Sequence, residues 1–504
     1  MGREEQIINE RKRKLKELRG LGINPYPYNF DVKNYSEDVK ETNKSLEDNE
    51  KSRNRVVVAG RIMIVRNLGK LIFATLQDSK GRLQLILQKG ETSEEDFKLF
   101  KKYVDAGDFV GIKGMVMKTK SGEVSVLVKK VQILSKSTLP LPDKFHGLKD
   151  DEERYRKRYL DLIMNPEVKK VFDKRTEILA GIREIMIKKE IIEVETPYLQ
   201  TLYGGAAAKP FETHLNALNI DLFLAVSPEL YLKRLIVGGY DKVYTISRNF
   251  RNEGIDRWHN PEFTMMEVYC SYWDYNDMMD LMEEIYETIA KKVNGSTKVE
   301  FRGKTIDFKR PWKKMTMIQA IKKWAKIDID KMSDKEISSF VKKNKVETKE
   351  DVWGWNVQAI FEHFCEDKIE QPTFIIDHPL ETTPLCKTHR DEKLCRLIER
   401  FEPFCMGAEL GNAYSELNDP ELQRELLEKQ QEMLKKGDAE ANPLDEDFLN
   451  AMETGMPPTG GLGIGIDRMV MFLTGQDTIK DVILFPFMKP LEDKGEKKEK
   501  KKSK

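Results

Sequence analysis

An arginine, two carboxylates and two aromatic rings are spaced to share one face of a β-hairpin at residues 248–275. Both ends of this segment alternate in polarity like strands, and residues 252–261 have the composition of a loop. Side chains two residues apart in a strand point to the same face. Because burying unpaired charge is costly, this face predicts a polar binding site rather than core, with a solvated hairpin as the alternative. The residues expected to share it are Arg251 and Glu253 in the first strand, and Phe263, Met265, Glu267 and Tyr269 in the second.

A glycine-rich strand at 457–473, PPTGGLGIGIDRMVMFL, is predicted to run into an apolar helix that begins near Asp467. Its glycines, Gly461, Gly463 and Gly465, do not have the spacing of a dinucleotide-binding loop. By themselves they indicate close packing of a helix on a strand.

A second one-faced strand, with Asn412, Tyr414 and Glu416, adds to an acidic and partly aromatic set of side chains. Ser227-Pro228-Glu229 has the pattern of a helix start with a carboxylate in the first turn. Carboxylates suit an ammonium group, and ring faces suit the methylenes of a long cationic side chain. A pocket for aspartate would need a cation, and this set supplies none. The predicted pocket comprises Glu229, Glu267, Glu416, Tyr269, Asn412 and Tyr414.

Three of these segments resemble the motifs of the class II aminoacyl-tRNA synthetases. Phe-Arg-Asn-Glu-Gly at 250–254, a charged loop and His-Asn-Pro-Glu-Phe at 259–263 are similar to motif 2. Gly-Ile-Asp-Arg at 465–468 is similar to motif 3. The apolar-faced helix and following strand at 177–200 resemble motif 1, and the three occur in the family's order.

The resemblance implies residue roles in binding ATP and in catalysis. Arg251 would grip the α-phosphate and the amino-acid carboxylate, and Arg468 would hold the γ-phosphate. A planar, bidentate cation suits two anions that must approach each other. Phe263 would stack on adenine, and Glu253 and His259 match residues near the nucleotide.

Two carboxylates just upstream of Asn412, Glu402 and Glu409, are the expected ligands of Mg²⁺. Carboxylates near a triphosphate can share a magnesium ion with the phosphate oxygens, and Glu409 would thereby also contact ATP. A charged strand edge is the alternative.

Five further blocks resemble the lysyl-tRNA synthetases of subclass IIb: 203–211, 227–239, 371–379, 412–420 and 456–468. The resemblance implies lysine activation by ATP and transfer to tRNA(Lys) by a cytoplasmic homodimer, with Pro197 at the dimer interface. Gly204 or Gly205 and Glu229 would meet the α-amino group, and Glu416 and Tyr269 the ε-ammonium. Arg251, Glu267, Asn412 and Tyr414 would complete the lysine site. Two residues depart from the family: Tyr203 replaces a proline, and Leu462 a tryptophan of some members.

Three other kinds of protein would share part of this pattern. A relative that charges aspartate or asparagine shares the motifs. A non-charging paralogue would be expected to have lost motif arginines or the barrel, and neither loss is seen. A plain oligonucleotide-binding protein would leave the larger domain without a purpose.

The elements that position these residues are of two kinds, and together they predict an α+β protein. Short alternating runs between about 55 and 135 predict five strands of an OB-type barrel. Longer mixed segments from 166 to 490 predict a catalytic domain built on an antiparallel sheet flanked by helices. The predicted divisions are a charged extension with a solvated helix (1–50), the barrel (51–136), a linker and helical connector (137–165), the catalytic domain (166–490) and a disordered Lys-rich tail (491–504).

The resemblance gives the barrel a role in reading the anticodon of tRNA, through Arg66, Phe73, Gln84 and Glu123. Unstacked bases are read by stacking and by hydrogen bonds to their edges. Judged from the barrel pattern without the family, Phe73 is predicted to belong to the barrel core.

Composition excludes several classes of protein. The net charge is +1, so any basic surface for RNA must come from local clustering. The chain has no apolar run long enough for a bilayer, so no membrane partner is expected. Five scattered cysteines indicate reduced thiols in a cytosolic setting rather than a disulfide framework or a zinc site. Contacts with other synthetases or scaffold proteins stay open.

Overall fold

The structure is a computed structural model that describes residues 2–142, 148 and 150–491. The chain divides into two compact units, Met1–Lys149 and Asp150–Lys504. Residues 492–504 of the predicted tail, and residues 143–147 and 149 of the predicted linker, lie outside the described part. The finer domain boundaries given above stay predictions.

The first unit is built on a closed five-stranded barrel with strand order β1-β2-β3-β5-β4, which confirms the predicted OB-type fold. A helix that was not predicted, α3, lies between the third and fourth strands. Ser93 caps it by accepting the backbone N–H of Asp96, and Phe97 and Phe100 are buried against the barrel. The elements are α1 (Arg3–Gly20), α2 (Ser36–Thr42), β1 (Lys51–Asn67), β2 (Leu71–Gln77), β3 (Arg82–Gln88), α3 (Glu94–Tyr103), β4 (Phe109–Lys118) and β5 (Val124–Ser135).

Helix α1 is anchored to the barrel along one side, so the expected solvated helix is solvated only on its other side. Leu18 is fully buried in the barrel core. The guanidinium of Arg11 donates to the carbonyl oxygens of Ala106 at 2.7 Å and Leu139 at 2.8 Å. Lys14 Nζ lies 2.7 Å from Asp105 Oδ1.

The second unit is built on a large sheet with strand order β14-β15-β16-β18-β19-β11-β10-β6 and with β17 paired to β16. Its central pairs are antiparallel, as predicted, and the parallel pairs β14–β15 and β6–β10 lie at its two ends. Two small sheets, β7-β9-β8 and β12-β13, are separate from it. The strands of the unit are β6 (Ile192–Glu193), β7 (Leu199–Gln200), β8 (Glu212–Leu215), β9 (Ile220–Leu224), β10 (Lys242–Phe250), β11 (Glu262–Ser271), β12 (Lys298–Phe301), β13 (Lys304–Asp307), β14 (Lys313–Thr316), β15 (Thr373–Pro379), β16 (Leu397–Cys405), β17 (Ala408–Glu409), β18 (Gly411–Ser415) and β19 (Thr459–Gly465).

Helices cover the sheet and extend the unit. The predicted helical connector is the pair α4 and α5. The helices are α4 (Asp151–Arg156), α5 (Arg158–Met164), α6 (Pro166–Lys188), α7 (Glu229–Val237), α8 (Tyr275–Asn294), α9 (Met317–Trp324), α10 (Asp334–Asn344), α11 (Trp353–Phe364), α12 (Pro420–Lys435), α13 (Glu446–Thr454), α14 (Ile466–Thr474) and α15 (Ile479–Val482). No helix in the described ranges is long and apolar enough to cross a membrane.

One face of the central sheet packs into the hydrophobic core, and the other lines a cavity. In β11, Met266, Val268 and Cys270 point into the main hydrophobic core, where helices α6, α8 and α14 cover them. The alternate residues of the same strand, among them Glu267 and Tyr269, line a cavity on the opposite face. The two-residue period of the strand therefore separates the core from the candidate site.

Candidate active site

A cavity of about 350 Å³ lies on the face of the sheet opposite the main core. Most of the residues singled out from the sequence line it. Gly205 lines it, whereas the adjacent Gly204 does not. The predicted residues in its lining are Gly205, Glu229, Arg251, Glu253, His259, Phe263, Glu267, Tyr269, Glu402, Glu409, Asn412, Tyr414, Glu416 and Arg468.

Arg251 and Glu253 reach this cavity from a loop, so their predicted position in the first hairpin strand is wrong. Strand β10 ends at Phe250. The backbone N–H of Arg251 still donates to Pro261 O at 2.9 Å, which continues the pairing for one residue beyond the strand. The Arg251 guanidinium carbon lies 5.1 Å from the centre of the Phe263 ring, close enough for a cation–π contact.

Arg468 enters the cavity from the first turn of α14, which begins at Ile466, close to the predicted start. Its guanidinium donates to Glu409 O at 2.7 Å and to His259 Nε2 at 3.1 Å. Since Nε2 must accept here, the imidazole proton sits on Nδ1, which lies 2.8 Å from Asp256 Oδ2. Asp256 thus orients His259 toward Arg468.

Asp467, next to Arg468, ties the start of α14 to its surroundings. One carboxylate oxygen accepts the backbone N–H of Thr264 at 2.7 Å, and the other lies 2.6 Å from Arg175 of α6. Sequence reasoning assigned no role to Arg175 or Asp467. These contacts hold β11, α6 and α14 in a common geometry around Arg468.

Three buried carboxylates form the acidic end of the cavity: Glu229 is 5% exposed, Glu267 4% and Glu416 1%. Glu267 accepts hydrogen bonds from the Ser227 hydroxyl at 2.9 Å and the Tyr269 hydroxyl at 3.2 Å. Burial, followed by the charge of Glu229, raises the pKa of Glu267 to about 8. Burial is also the main reason why the pKa of Glu416 is raised.

A buried lysine that sequence reasoning missed, Lys233, stands among these carboxylates. Its Nζ lies 2.6 Å from Glu229 Oε1 and 2.5 Å from Glu416 Oε2. The expectation that this set contains no cation is therefore wrong. The available signal was the four-residue spacing of Glu229 and Lys233, which brings the two side chains together on one helix.

A second missed cation, Arg400, organises the other side of the cavity. It donates to Asn412 Oδ1 at 3.1 Å and to Thr382 Oγ1 at 3.0 Å, and it forms an ion pair with Glu402. Its guanidinium carbon lies 5.7 Å from the centre of the Tyr414 ring. Arg400 and Glu402 are two residues apart in β16, and that spacing was the signal in the sequence.

The carboxylates expected to bind Mg²⁺, Glu402 and Glu409, both line the cavity. Burial and then the charge of Glu402 raise the pKa of Glu409, so a cation between the two groups would relieve their repulsion. Among the described residues, no group of three or more His, Cys, Asp or Glu side chains is arranged to hold a metal. Two carboxylates fit Mg²⁺ when phosphate oxygens and water complete its shell.

Two family models match the chain. Residues 150–489 match the family described as tRNA synthetases class II (D, K and N), and residues 56–134 match the OB-fold nucleic acid binding domain. The first match covers well over half of the chain. The chain belongs to the class II tRNA synthetases.

Curated relatives of this family are similar over nearly the whole chain. A "Lysine--tRNA ligase" of Methanoculleus marisnigri is 52% identical over 478 residues, which is 94% of each chain. One of Clostridium novyi is 49% identical over 96% of this chain and 94% of its own. A "Lysine--tRNA ligase 2" of Methanosarcina mazei is 48% identical over 94% and 93% of the two chains.

The two departures from the family pattern both occupy packed positions. The Tyr203 ring lies edge-on to Phe223, with centroids 5.0 Å apart, and its hydroxyl donates to Ala441 O at 3.4 Å. Leu462 is buried in the main core and also borders the cavity.

The residues expected to read an anticodon lie on the outside of the barrel. Ile72 and Ala74 point inward in β2, and Phe73 between them is only partly buried and points outward. The prediction of Phe73 as barrel core is therefore wrong. Arg66 is its partner in β1, Gln84 donates to Ser125 Oγ at 2.9 Å, and Glu123 is exposed.

Pro197, expected at a dimer interface, is exposed in the segment that follows β6. Large apolar side chains around it are also exposed: Ile192 by 51%, Tyr198 by 46% and Leu199 by 52%.

Proposed function

We propose that this protein is a lysine–tRNA ligase. It activates L-lysine with ATP to lysyl-adenylate and pyrophosphate, and then transfers the lysyl group to the 3′ end of tRNA(Lys). Membership of the class II tRNA synthetases and the relatives named lysine–tRNA ligase, about 50% identical over nearly the full chain, support this reaction.

The observation that carries lysine as the substrate is Glu416. It is 1% exposed, it lines the cavity, and its Oε1 has no hydrogen-bond partner among the residues that the structure describes. A buried carboxylate oxygen without a donor is costly, and an ammonium group would supply the donor. Glu416 with Tyr269 is therefore our site for the ε-ammonium of lysine.

The proposed site for the α-amino and carboxylate groups of lysine belongs to the same cavity. Glu229 and the backbone at Gly205, rather than at Gly204, bind the α-amino group, with Glu267 beside them. Asn412 and Tyr414 border the side chain, where a ring face suits lysine's methylenes. Arg251 holds the carboxylate next to the α-phosphate of ATP.

The activation step joins two anions, so the proposed catalysis is positioning and charge neutralisation. The lysine carboxylate attacks the α-phosphorus in line, and pyrophosphate leaves. Arg251 neutralises charge at the α-phosphate and Arg468 at the γ-phosphate, with His259 holding Arg468 in place. Phe263 and Glu253 complete the nucleotide site. Glu402 and Glu409 would hold Mg²⁺, which, when bound, neutralises charge on the phosphate oxygens.

In the second step the terminal ribose hydroxyl of the tRNA attacks the adenylate carbonyl, the acyl–phosphate bond breaks and AMP leaves. None of the predicted site residues is assigned as a general base for this step. Arg66, Phe73 and Gln84 on the outer face of the barrel, with Glu123 in the exposed turn before β5, read the anticodon by stacking and base-edge contacts.

The proposed assembly is a homodimer and the proposed setting is the cytoplasm. Exposed apolar side chains around Pro197 support a protein interface there. All five cysteines are free, which suits a reducing compartment.

Lysine-dependent exchange between ATP and pyrophosphate, followed by charging of tRNA(Lys), tests this function directly. We expect Arg251→Ala to lower exchange by at least about a hundredfold, because the reacting anions lose their shared cation. Arg248→Ala is the matched control. Arg248 lies three residues earlier, pairs with Glu262 at 3.4 Å and does not line the cavity.

The unmodified protein should be assayed with every amino acid in parallel. Exchange that depends on aspartate or asparagine rather than lysine would replace the proposed substrate with another of the same family. Near-normal exchange by Arg251→Ala would refute the role given to that residue.

A further inference from the structure

Lys233 is a fully buried cation held between two secondary-structure elements, its own helix and a neighbouring strand. It lies one helical turn after Glu229 in α7, and Glu416 approaches it from the end of β18. Its Nζ is 2.6 Å from Glu229 Oε1 and 2.5 Å from Glu416 Oε2. Lys233 itself does not line the cavity, although both of its partners do. The ammonium group therefore sits behind the two carboxylates and joins them.

The two ion pairs stabilise the buried lysine, and they also affect the charge and spacing of Glu229 and Glu416. Removing a charge from water is costly, and two carboxylates within ion-pairing distance of one ammonium group offset that cost. The same ammonium limits the repulsion between Glu229 and Glu416, which would otherwise favour a proton on one of them. It also fixes the separation of the two groups, because each gives one oxygen to the same nitrogen atom.

The charge that remains matches a diamino substrate. Glu229, Glu267 and Glu416 carry three negative charges when ionised, and Lys233 cancels one of them. When lysine binding ionises Glu267 as well, two negative charges face the two ammonium groups that lysine carries. Glu416 pairs with Lys233 through Oε2, and its Oε1 has no hydrogen-bond partner among the described residues.

We infer that Lys233 is a positioning residue that sets the charge and spacing of the two ammonium-binding carboxylates, Glu229 and Glu416, and thereby selects a diamino acid. The inference rests on the proposed function. Other titratable or charged groups also face this cluster and complete its electrostatics: Glu267 and Tyr269 from β11, Tyr414 from β18, Cys386 beside Glu416, and Arg400 from β16.

The test compares Lys233→Met with Arg234→Met. Methionine is unbranched, flexible and uncharged, so it can fill the space of the lysine stem. Arg234 is the next residue of the same helix, pairs with Asp445 at 2.7 Å and does not line the cavity. For each variant, the KM for lysine, the KM for ATP and kcat are measured in the exchange assay. Norleucine, which lacks the ε-ammonium, is tested as a competitor, and thermal unfolding is recorded.

We expect Lys233→Met to raise the KM for lysine by about tenfold or more while the KM for ATP changes by less than about twofold. The inhibition constant of norleucine should change little, so the preference for lysine falls. Arg234→Met should keep the unmodified values. Lys233→Gln can still donate hydrogen bonds to both carboxylates but carries no charge. Its KM for lysine should therefore lie between the values of Lys233→Met and Arg234→Met.

Two results would overturn the inference. The first is a folded Lys233→Met protein with an unchanged KM for lysine and an unchanged preference over norleucine. The second is failure of both Lys233→Met and Lys233→Gln to fold, which would assign Lys233 to the fold alone. Failure of the unmodified protein to exchange with lysine would instead refute the proposed function, so the two failures are distinguishable.

Discussion

Burial makes the carboxylates of the cavity sensitive to pH near neutrality. Glu267 is 4% exposed, and its pKa is raised to about 8 by burial and then by the charge of Glu229. The hydroxyl groups of Ser227 and Tyr269 oppose this shift without cancelling it. The pKa of the neighbouring Glu416 is raised as well, mainly because it is buried.

The sign of the resulting pH dependence follows from which form binds an ammonium group. Below about pH 8 the free protein holds Glu267 mostly protonated, and a protonated carboxyl pairs poorly with a cation. We expect kcat/KM for lysine to fall with decreasing pH below about 8, by up to about tenfold per pH unit. The ε-ammonium of lysine stays protonated throughout this range.

The measurement is a pH profile of lysine-dependent exchange at saturating ATP. The profile of kcat/KM for ATP, taken at saturating lysine, is the control for effects at the phosphate end of the cavity. A flat lysine profile between about pH 6.5 and 8.5 would contradict the raised pKa of the pocket carboxylates.

At the scale of elements, strand β19 makes room for the side chains of its neighbours. Gly461 pairs with Tyr269 of β11 on one side and Tyr414 of β18 on the other. A Cβ at Gly461 would overlap Glu416 Oε1 and lie 2.7 Å from Tyr269 Cε1. The glycine is therefore required by the pocket above the strand rather than by the backbone conformation.

Gly461→Ala should consequently damage lysine binding more than the fold. Overpacking typically costs about 1–3 kcal/mol, which corresponds to roughly 5- to 150-fold in affinity. We expect the KM for lysine to rise within that range and the KM for ATP to stay within about threefold, both from exchange kinetics. An equal rise in both constants would point to a general distortion of the sheet instead.

At the scale of the whole molecule, the proposed activation chemistry and the proposed tRNA reading lie in different compact units. The cavity belongs entirely to Asp150–Lys504, and the outward-facing Phe73 belongs to Met1–Lys149. Changes to the barrel surface should therefore affect charging without affecting activation.

Phe73→Ala tests this separation. A base–aromatic stack contributes about 1–3 kcal/mol, so kcat/KM for tRNA(Lys) in the charging reaction should fall by roughly 5- to 150-fold. Lysine-dependent exchange should be unchanged. Phe109→Ala, at an exposed barrel aromatic whose ring contacts Arg61, is the control expected to retain both activities. Loss of exchange in Phe73→Ala would show that the two units are not independent in this respect.

Local patterns in the sequence were enough to predict many of the strands and which side chains share a face. Alternation predicted the five barrel strands, and the two-residue period placed Phe263, Met265, Glu267 and Tyr269 on one face. These predictions succeed because a strand's alternation is a property of the backbone itself. The family resemblance supplied the roles of the motif arginines, which no local pattern specifies.

Only the tertiary structure decided where strands stop and which distant charges meet. Strand β10 ends one residue before Arg251, Phe73 points out of the barrel, and Lys233 is held between Glu229 and Glu416. Glu416 is 183 residues further along the chain than Lys233, so no local spacing relates them. The physical reason is that a buried charge is stable only where the fold brings its partners to it, and that depends on packing of elements distant in sequence.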